Sequence, residues 1–205
     1  REIKAILVVQ VDTATGVVND IPKIRAAIET AGHDGLFLVD AIASLGTMPF
    51  DMDGWGIDVA VTGSQKGLMM TPGLSYVAAG ARALERHKSA DLVTRYWDWT
   101  FRDGPLHYQK YCGTPPEHML FGQAKAFEML LDEGLEAVWR RHAILAGMAR
   151  AAVGRWAEAG AVEFNITRET ERADSITTVL LSGSDPAGLL DLCKEGCGVT
   201  VGITI

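Results

Sequence analysis

The sequence is short of cysteine, of positive charge and of long apolar runs. Its three cysteines, Cys112, Cys193 and Cys197, form an odd set without disulfide spacing, which suits a reducing compartment. Cys193 and Cys197 make a C-x-x-x-C pair with no companion Cys or His set, so no metal site is expected. A formal charge of −7 argues against a nucleic-acid partner, which would need a basic patch. No apolar stretch approaches the roughly 20 residues of a membrane span. Nothing reads as a signal peptide either. The expectation is therefore a cytoplasmic globular chain with no membrane partner. Its 205 residues, 48% of them hydrophobic, supply a core for one or two domains. An initiating methionine is also lacking. "REIKAILVVQV" at one end and "GVTVGITI" at the other both read as strand, where polar, frayed residues are usual. The expectation is an internal piece of a longer protein.

What is present is a run of short apolar segments punctuated by glycine. Ala5 to Val11, Leu36 to Ala41, Asp58 to Gly63 and Leu74 to Gly80 read as buried strands. Asp12 to Gly16 reads as a turn. Asp20 to Gly32 reads as a helix, with Asp20 at its N-cap and Ile21, Ile24 and Ile28 at helical spacing. Strand, helix and strand in that order make a βαβ unit. The fold class is α/β, with a mostly parallel sheet and flanking helices. Ala81 to Ser89 reads as a short polar helix, and Tyr96 to His118 as irregular, aromatic and proline-containing. Two helical segments follow, broken near Gly134. Ser175 to Ser182 then reads as strand, Asp185 to Cys197 as helix, and Gly198 to Ile205 as strand. These elements suggest a large-domain part over residues 1–133 and part of a smaller α+β domain over 134–205.

Three polar residues fall at strand C-termini. Thr13 follows the first strand, Asp40 closes "LFLVD", and Lys66 lies just after "DVAVTG". Ligands of open parallel sheets bind outside the carboxyl ends of the strands, so these residues belong to one rim. Asp40 follows four apolar residues and is expected to be partly buried, which requires a partner for its charge. From position alone, Asp40 reads equally well as a turn residue and Lys66 as an exposed loop lysine.

The surrounding residues decide between these readings. "VDAIASLG" (Val39 to Gly46) and "TGSQKG" (Thr62 to Gly67) together resemble the class V aminotransferases of fold type I, which depend on pyridoxal 5'-phosphate. The nearest subgroup is the serine–glyoxylate and alanine–glyoxylate enzymes. Ala43 stands where the family usually has the first serine of V-D-x-x-S-S-L-G. The spacing from Asp40 to Lys66 matches the family, and "MDGWGIDVAVTGSQKGLMMTPGL" matches almost throughout. The likeness continues through "GTPPEHMLFGQAKAFEMLLDEGLEAVWRRH" and so covers nearly all of the chain.

The resemblance implies a role for each motif residue. Asp40 would pair with the pyridine nitrogen and keep it protonated, making the ring an electron sink. Lys66 would hold the cofactor as an aldimine and later carry a proton. Ile42 would pack on one ring face, Thr13 would lie near the ring hydroxyl, and Gln65 would bond the phosphate. Asp12 stands where the family often has Glu. Tyr111 and Thr114, in "YCGTPP", match positions that reach the phosphate in the neighbouring subunit, which implies a homodimer with shared sites. His118 replaces a frequent Asn and could line the entrance. His142 reads as structural, Trp55 as packing under the lysine loop, and the Met69–Met70 pair as packing. Trp97 and Trp99 fit either a substrate mouth or a dimer contact. The family's N-terminal half and its carboxylate-binding arginine, in an R-I-G segment just past Ile205, are not in this sequence. The implied reaction is ping-pong transamination between serine, alanine or aspartate and a 2-oxo acid such as glyoxylate or pyruvate. Alternatives are pyridoxamine–pyruvate or ureidoglycine transamination, a lyase reaction, or a non-catalytic domain that retains the fold.

Overall fold

A computed structural model of the chain describes residues 3–181 and 186–202. Four strands form its main sheet in the order β1-β2-β3-β4: β1 (Ala5–Val9), β2 (Leu36–Asp40), β3 (Val59–Gly63) and β4 (Ser75–Ala79). β1, β2 and β3 run parallel, and β4 returns antiparallel to β3. This is the mostly parallel α/β sheet expected from the apolar runs. Helix α1 (Ile21–Thr30) connects β1 to β2. It starts where it should: the Asp20 carboxylate accepts from the Lys23 amide at 3.0 Å, and Pro22 sits in the first turn.

Side chains alternate across the strands. Ile6, Val8, Phe37, Val39 and Ala60 face α1 and pack with Ile21, Ile24 and Ile28. Phe37, Ile21 and Val39 are essentially fully buried. Burying a side chain of this size stabilises the fold by roughly 1.5–3 kcal/mol. The opposite face carries Leu7, Val9 and Val77, which are 73%, 37% and 54% exposed. Asp58, just before β3, accepts from the Phe37 amide and from Arg82 of helix α2 (Ala81–His87), both at 2.7 Å.

Several expected elements differ in detail. β1 stops at Val9 because the chain then changes partner: Gln10 O accepts from Asn19 N at 2.8 Å and Val11 bridges antiparallel to Val18. The Tyr96–His118 stretch is not wholly irregular. It contains two short helices, α3 (Trp99–Arg102) and α4 (His107–Tyr111), and its last residues begin α5 (Glu117–Glu133). Gly134, at φ 84, separates α5 from α6 (Leu135–Glu158), as the sequence suggested. The strand β5 (Val162–Phe164) was not anticipated, and it pairs antiparallel with β6 (Val179–Leu181). α7 covers Pro186–Cys197. The expected cap Asp185 and strand end Ser182 lie outside the described residues. The expected strand at Gly198 is not formed over 198–202, and residues 203–205 are outside the described set.

Trp55 does not lie under the lysine loop. It packs with the α1 cluster and meets Phe50 edge-on, with ring centroids 5.6 Å apart. The space under the lysine loop is filled by Leu68, Leu130, Val138, Leu45 and Tyr76. No helix among the described residues is long and apolar enough to cross a membrane.

Candidate active site

Three parallel strands end at one edge of the sheet, and the expected site residues follow them. Register puts Asp40 between Val9 of β1 and Val61 of β3. Asp40 is half-buried. Its Oδ1 accepts from the Ile42 amide at 2.8 Å, which orients the carboxylate at the start of the following turn. That turn is closed by Leu45 N–H donating to Ala41 O at 2.9 Å, and Ile42 lies half-buried within it.

Lys66 and Gln65 follow β3 on an exposed loop. Ser64 builds this loop. It is fully buried, its hydroxyl donates to Thr71 O at 2.7 Å and accepts from Leu74 N at 3.2 Å, and its carbonyl accepts from Met70 N at 3.0 Å. Helix α5 supports the loop from below, with Gln123 Nε2 donating to Leu68 O at 3.0 Å. Met70 packs on Gly122 of α5, as expected of a packing residue, whereas Met69 is 44% exposed and takes φ 61. The Lys66 ammonium has no hydrogen-bond or ion-pair partner among the described residues. Nor does it pair with Asp40.

Thr13 is exposed in the loop between β1 and α1. The adjacent Asp12 caps that loop, accepting from the Thr15 amide at 2.7 Å and from the Thr15 hydroxyl at 2.8 Å. The Thr15 bonds hold the Asp12 carboxyl below its ordinary range. The same loop is tied to the segment after α6. Val18 N donates to Glu171 O at 2.8 Å, Ala173 N to Gly16 O at 3.1 Å, and the Thr178 hydroxyl to Thr15 O. Tyr111 and Thr114 lie at the end of α4 and just before α5, and no hydrogen bond joins them to Asp40, Gln65 or Lys66. Tyr76 of β4 carries a buried hydroxyl without a partner among the described residues. Burial raises its pKa, and the neighbouring Tyr111 adds to the rise.

Of the histidines, His142 donates to Val138 O at 2.8 Å within α6, a structural role. His118 is exposed in the first turn of α5, and His107 is exposed at the start of α4. Trp97 is 75% exposed, while Trp99 is half-buried against His87. Sequence reasoning missed Gln10. It is 4% exposed, receives the Ser44 hydroxyl on Oε1 at 2.5 Å, and donates from Nε2 to Pro49 O at 3.1 Å. Its backbone N–H also donates to Asp40 O at 2.9 Å. The available signal was a lone amide at the end of an apolar run.

The family model described as Aminotransferase class-V matches residues 1–203. The chain belongs to the class V aminotransferases. This class V chain is 41% identical over 163 residues to the serine–glyoxylate aminotransferase of Methylorubrum extorquens, covering 76% of the chain and 40% of that relative. It is 42% identical over 158 residues to the L-aspartate–glyoxylate aminotransferase of Paracoccus denitrificans, covering 76% and 39%. Among solved structures, it is similar to pyridoxamine–pyruvate aminotransferase from Mesorhizobium loti, with a TM-score of 0.84 and 27% identity. That match covers 98% of this chain and 51% of the other. The alanine–glyoxylate aminotransferase of Nostoc sp. gives a TM-score of 0.81 at 25% identity, covering 98% and 53%. The chain thus spans about two fifths of the curated relatives it matches and about half of the solved structures.

Proposed function

We propose that the protein containing this chain transfers an amino group from a small amino acid, such as serine, alanine or aspartate, to a 2-oxo acid such as glyoxylate or pyruvate. The observation that carries this reading is the placement of Asp40 and Lys66 at the carboxyl ends of adjacent parallel strands. Relatives named for glyoxylate transamination support the substrate class.

The donor set fits pyridoxal 5'-phosphate. An oriented carboxylate and an unpartnered primary amine share one rim, which matches a protonated ring nitrogen and an aldehyde. When bound, the cofactor supplies an electron sink for the carbanion formed at the substrate α-carbon. Asp40 would hold a proton on the ring nitrogen, its carboxylate already aimed by the Ile42 amide. The Lys66 amine would hold the cofactor covalently, then take the proton from the substrate α-carbon. Ile42 would cover one ring face, and Thr13 and Gln65 would bond the hydroxyl and the phosphate. Tyr111 and Thr114 would serve the phosphate of a second subunit. A boundary at Gly134 would separate the cofactor-binding part, 1–133, from the smaller part, 134–205.

A second reading is transamination between pyridoxamine and pyruvate, favoured by the likeness to the Mesorhizobium loti enzyme. The full-length protein should be assayed with serine, alanine, aspartate and pyridoxamine as donors, and glyoxylate and pyruvate as acceptors. Turnover with an amino acid and glyoxylate supports the first reading, and turnover only with pyridoxamine and pyruvate supports the second. No turnover with any pair would overturn both.

A further inference from the structure

The Asp40 turn and the Lys66 loop each close on themselves. In the first, Thr47 N and Met48 N donate to Ser44 O at 2.9 and 3.0 Å. In the second, Met69 N donates to Lys66 O and Met70 N to Ser64 O, both at 3.0 Å. Between them the backbones touch. A Cβ on Gly67 would stand 2.2 Å from Leu45 O and 3.0 Å from Thr47 Cγ2. A Cβ on Gly46 would stand 2.6 Å from Gly67 O and 2.8 Å from Gly67 C. Neither position admits any other residue without moving a loop.

The two glycines are required for different reasons. Gly46 has φ +85, so it needs glycine for its backbone as well as for space. Gly67 is not in the left-handed region, so only the close approach demands glycine there. Gly67 directly follows Lys66, and Gly46 closes the turn that begins at Asp40. We propose that Gly46 and Gly67 are positioning residues that lock the two loops into one rigid unit and so set the separation of Asp40 from Lys66. The proposal rests on the transamination reading for its consequence, though not for its geometry.

A methyl group at residue 67 leaves both Asp40 and Lys66 intact but forces their loops apart. Misplacement of a reacting group by about 1 Å costs on the order of 100-fold in rate. In the full-length enzyme, Gly67→Ala should lower kcat by that order with KM little changed, because binding groups remain. The pH titration of the lysine-bound chromophore should shift, since Asp40 and the Lys66 amine no longer flank it at the same spacing. Gly32→Ala is the control. It strains a backbone at φ +61, but a Cβ there meets nothing within 4 Å. It should lose stability and keep kcat.

A second measurement needs no variant and no cofactor. In cofactor-free wild-type protein, the amides of Thr47, Met48, Met69 and Met70 should exchange with solvent as one cooperative unit. Independent exchange of the two loops would overturn the proposal, as would wild-type kcat and titration in Gly67→Ala. If that variant does not fold, the exchange data decide alone. If the wild-type enzyme shows no transamination, the functional reading falls, and the exchange experiment still tests the lock.

Discussion

Ser44 donates its hydroxyl to the side-chain oxygen of Gln10 across 2.5 Å, and both residues are buried. The other end of the Gln10 amide reaches Pro49 O, and its backbone N–H reaches Asp40 O. One glutamine thus spans the turn that carries Asp40 from its first residue to beyond its last. If Asp40 faces the ring nitrogen as proposed, it gains from a turn held at both ends.

The first prediction tests this brace. Ser44→Ala should cost about 1–3 kcal/mol, since it leaves the buried Gln10 oxygen without its donor. Gln10→Ala should cost more, on the order of 3 kcal/mol, because it removes both side-chain hydrogen bonds and opens a cavity in a buried site. Urea unfolding of the full-length variants measures both. Midpoints equal to wild type would show that the network is open to water.

Much of this architecture was legible because it is periodic or punctuated. The apolar runs gave the four strands, Asp20 and Gly134 marked helix ends, and the strand C-termini put Asp40 and Lys66 on one rim. The end of β1 was misjudged because the switch happens within Gln10: its N–H still donates to Asp40 O of β2, while its carbonyl accepts from Asn19 N and Val11 bridges to Val18, a change of partner that the apolar run does not show. β5 is three residues long, too short to show alternation. Trp55 follows a turn whose direction no local pattern reveals, so its packing against Phe50 was out of reach. The Gly46–Gly67 contact is a long-range meeting of two backbones and leaves no trace in spacing.

The second prediction concerns Lys66. Borohydride treatment of the full-length enzyme should fix the cofactor to this residue, and peptide mapping should find the adduct there. Lys66→Ala should lower turnover at least about 100-fold, as the amine is the proposed proton carrier. An adduct on Lys4, Lys23 or Lys88 would refute the assignment.

Asp40→Asn is the third test. The amide keeps an oxygen for the Ile42 N–H, so the turn should survive. It cannot hold a proton on the ring nitrogen, and kcat should fall on the order of 100-fold. Cofactor content should be largely retained. A near-normal kcat would make Asp40 only a turn residue.

A fourth prediction separates stability from catalysis. Arg82 pairs with the buried Asp58 at the edge of the sheet opposite the proposed site. Arg82→Met leaves that carboxylate with only the Phe37 amide among the described residues. The variant should lose about 3 kcal/mol, the low end for breaking a buried pair, because Arg82 is itself 37% exposed. Its kcat at a permissive temperature should stay at the wild-type value. A large fall in kcat with unchanged stability would place this pair in the catalytic machinery.

The last prediction concerns assembly. Tyr111 and Thr114 make no hydrogen bond to Asp40, Gln65 or Lys66 within the chain, and α4 and the segment before it expose aromatic and apolar residues: Leu92, Tyr96, Trp97 and Tyr108. Such a surface suits burial against a second subunit. If Tyr111 and Thr114 complete the partner's site, two inactive proteins should complement each other. One protomer carries Lys66→Ala, and the other carries Tyr111→Phe with Thr114→Ala. In the mixed dimer, crossing contacts collect all the substitutions in one site and leave the other wholly wild type. Contacts within one subunit would instead leave a defect in each site. Activity rising well above both parents after subunit exchange is the expected result. No rise, with mixed dimers confirmed by mass, would show that each subunit serves its own phosphate.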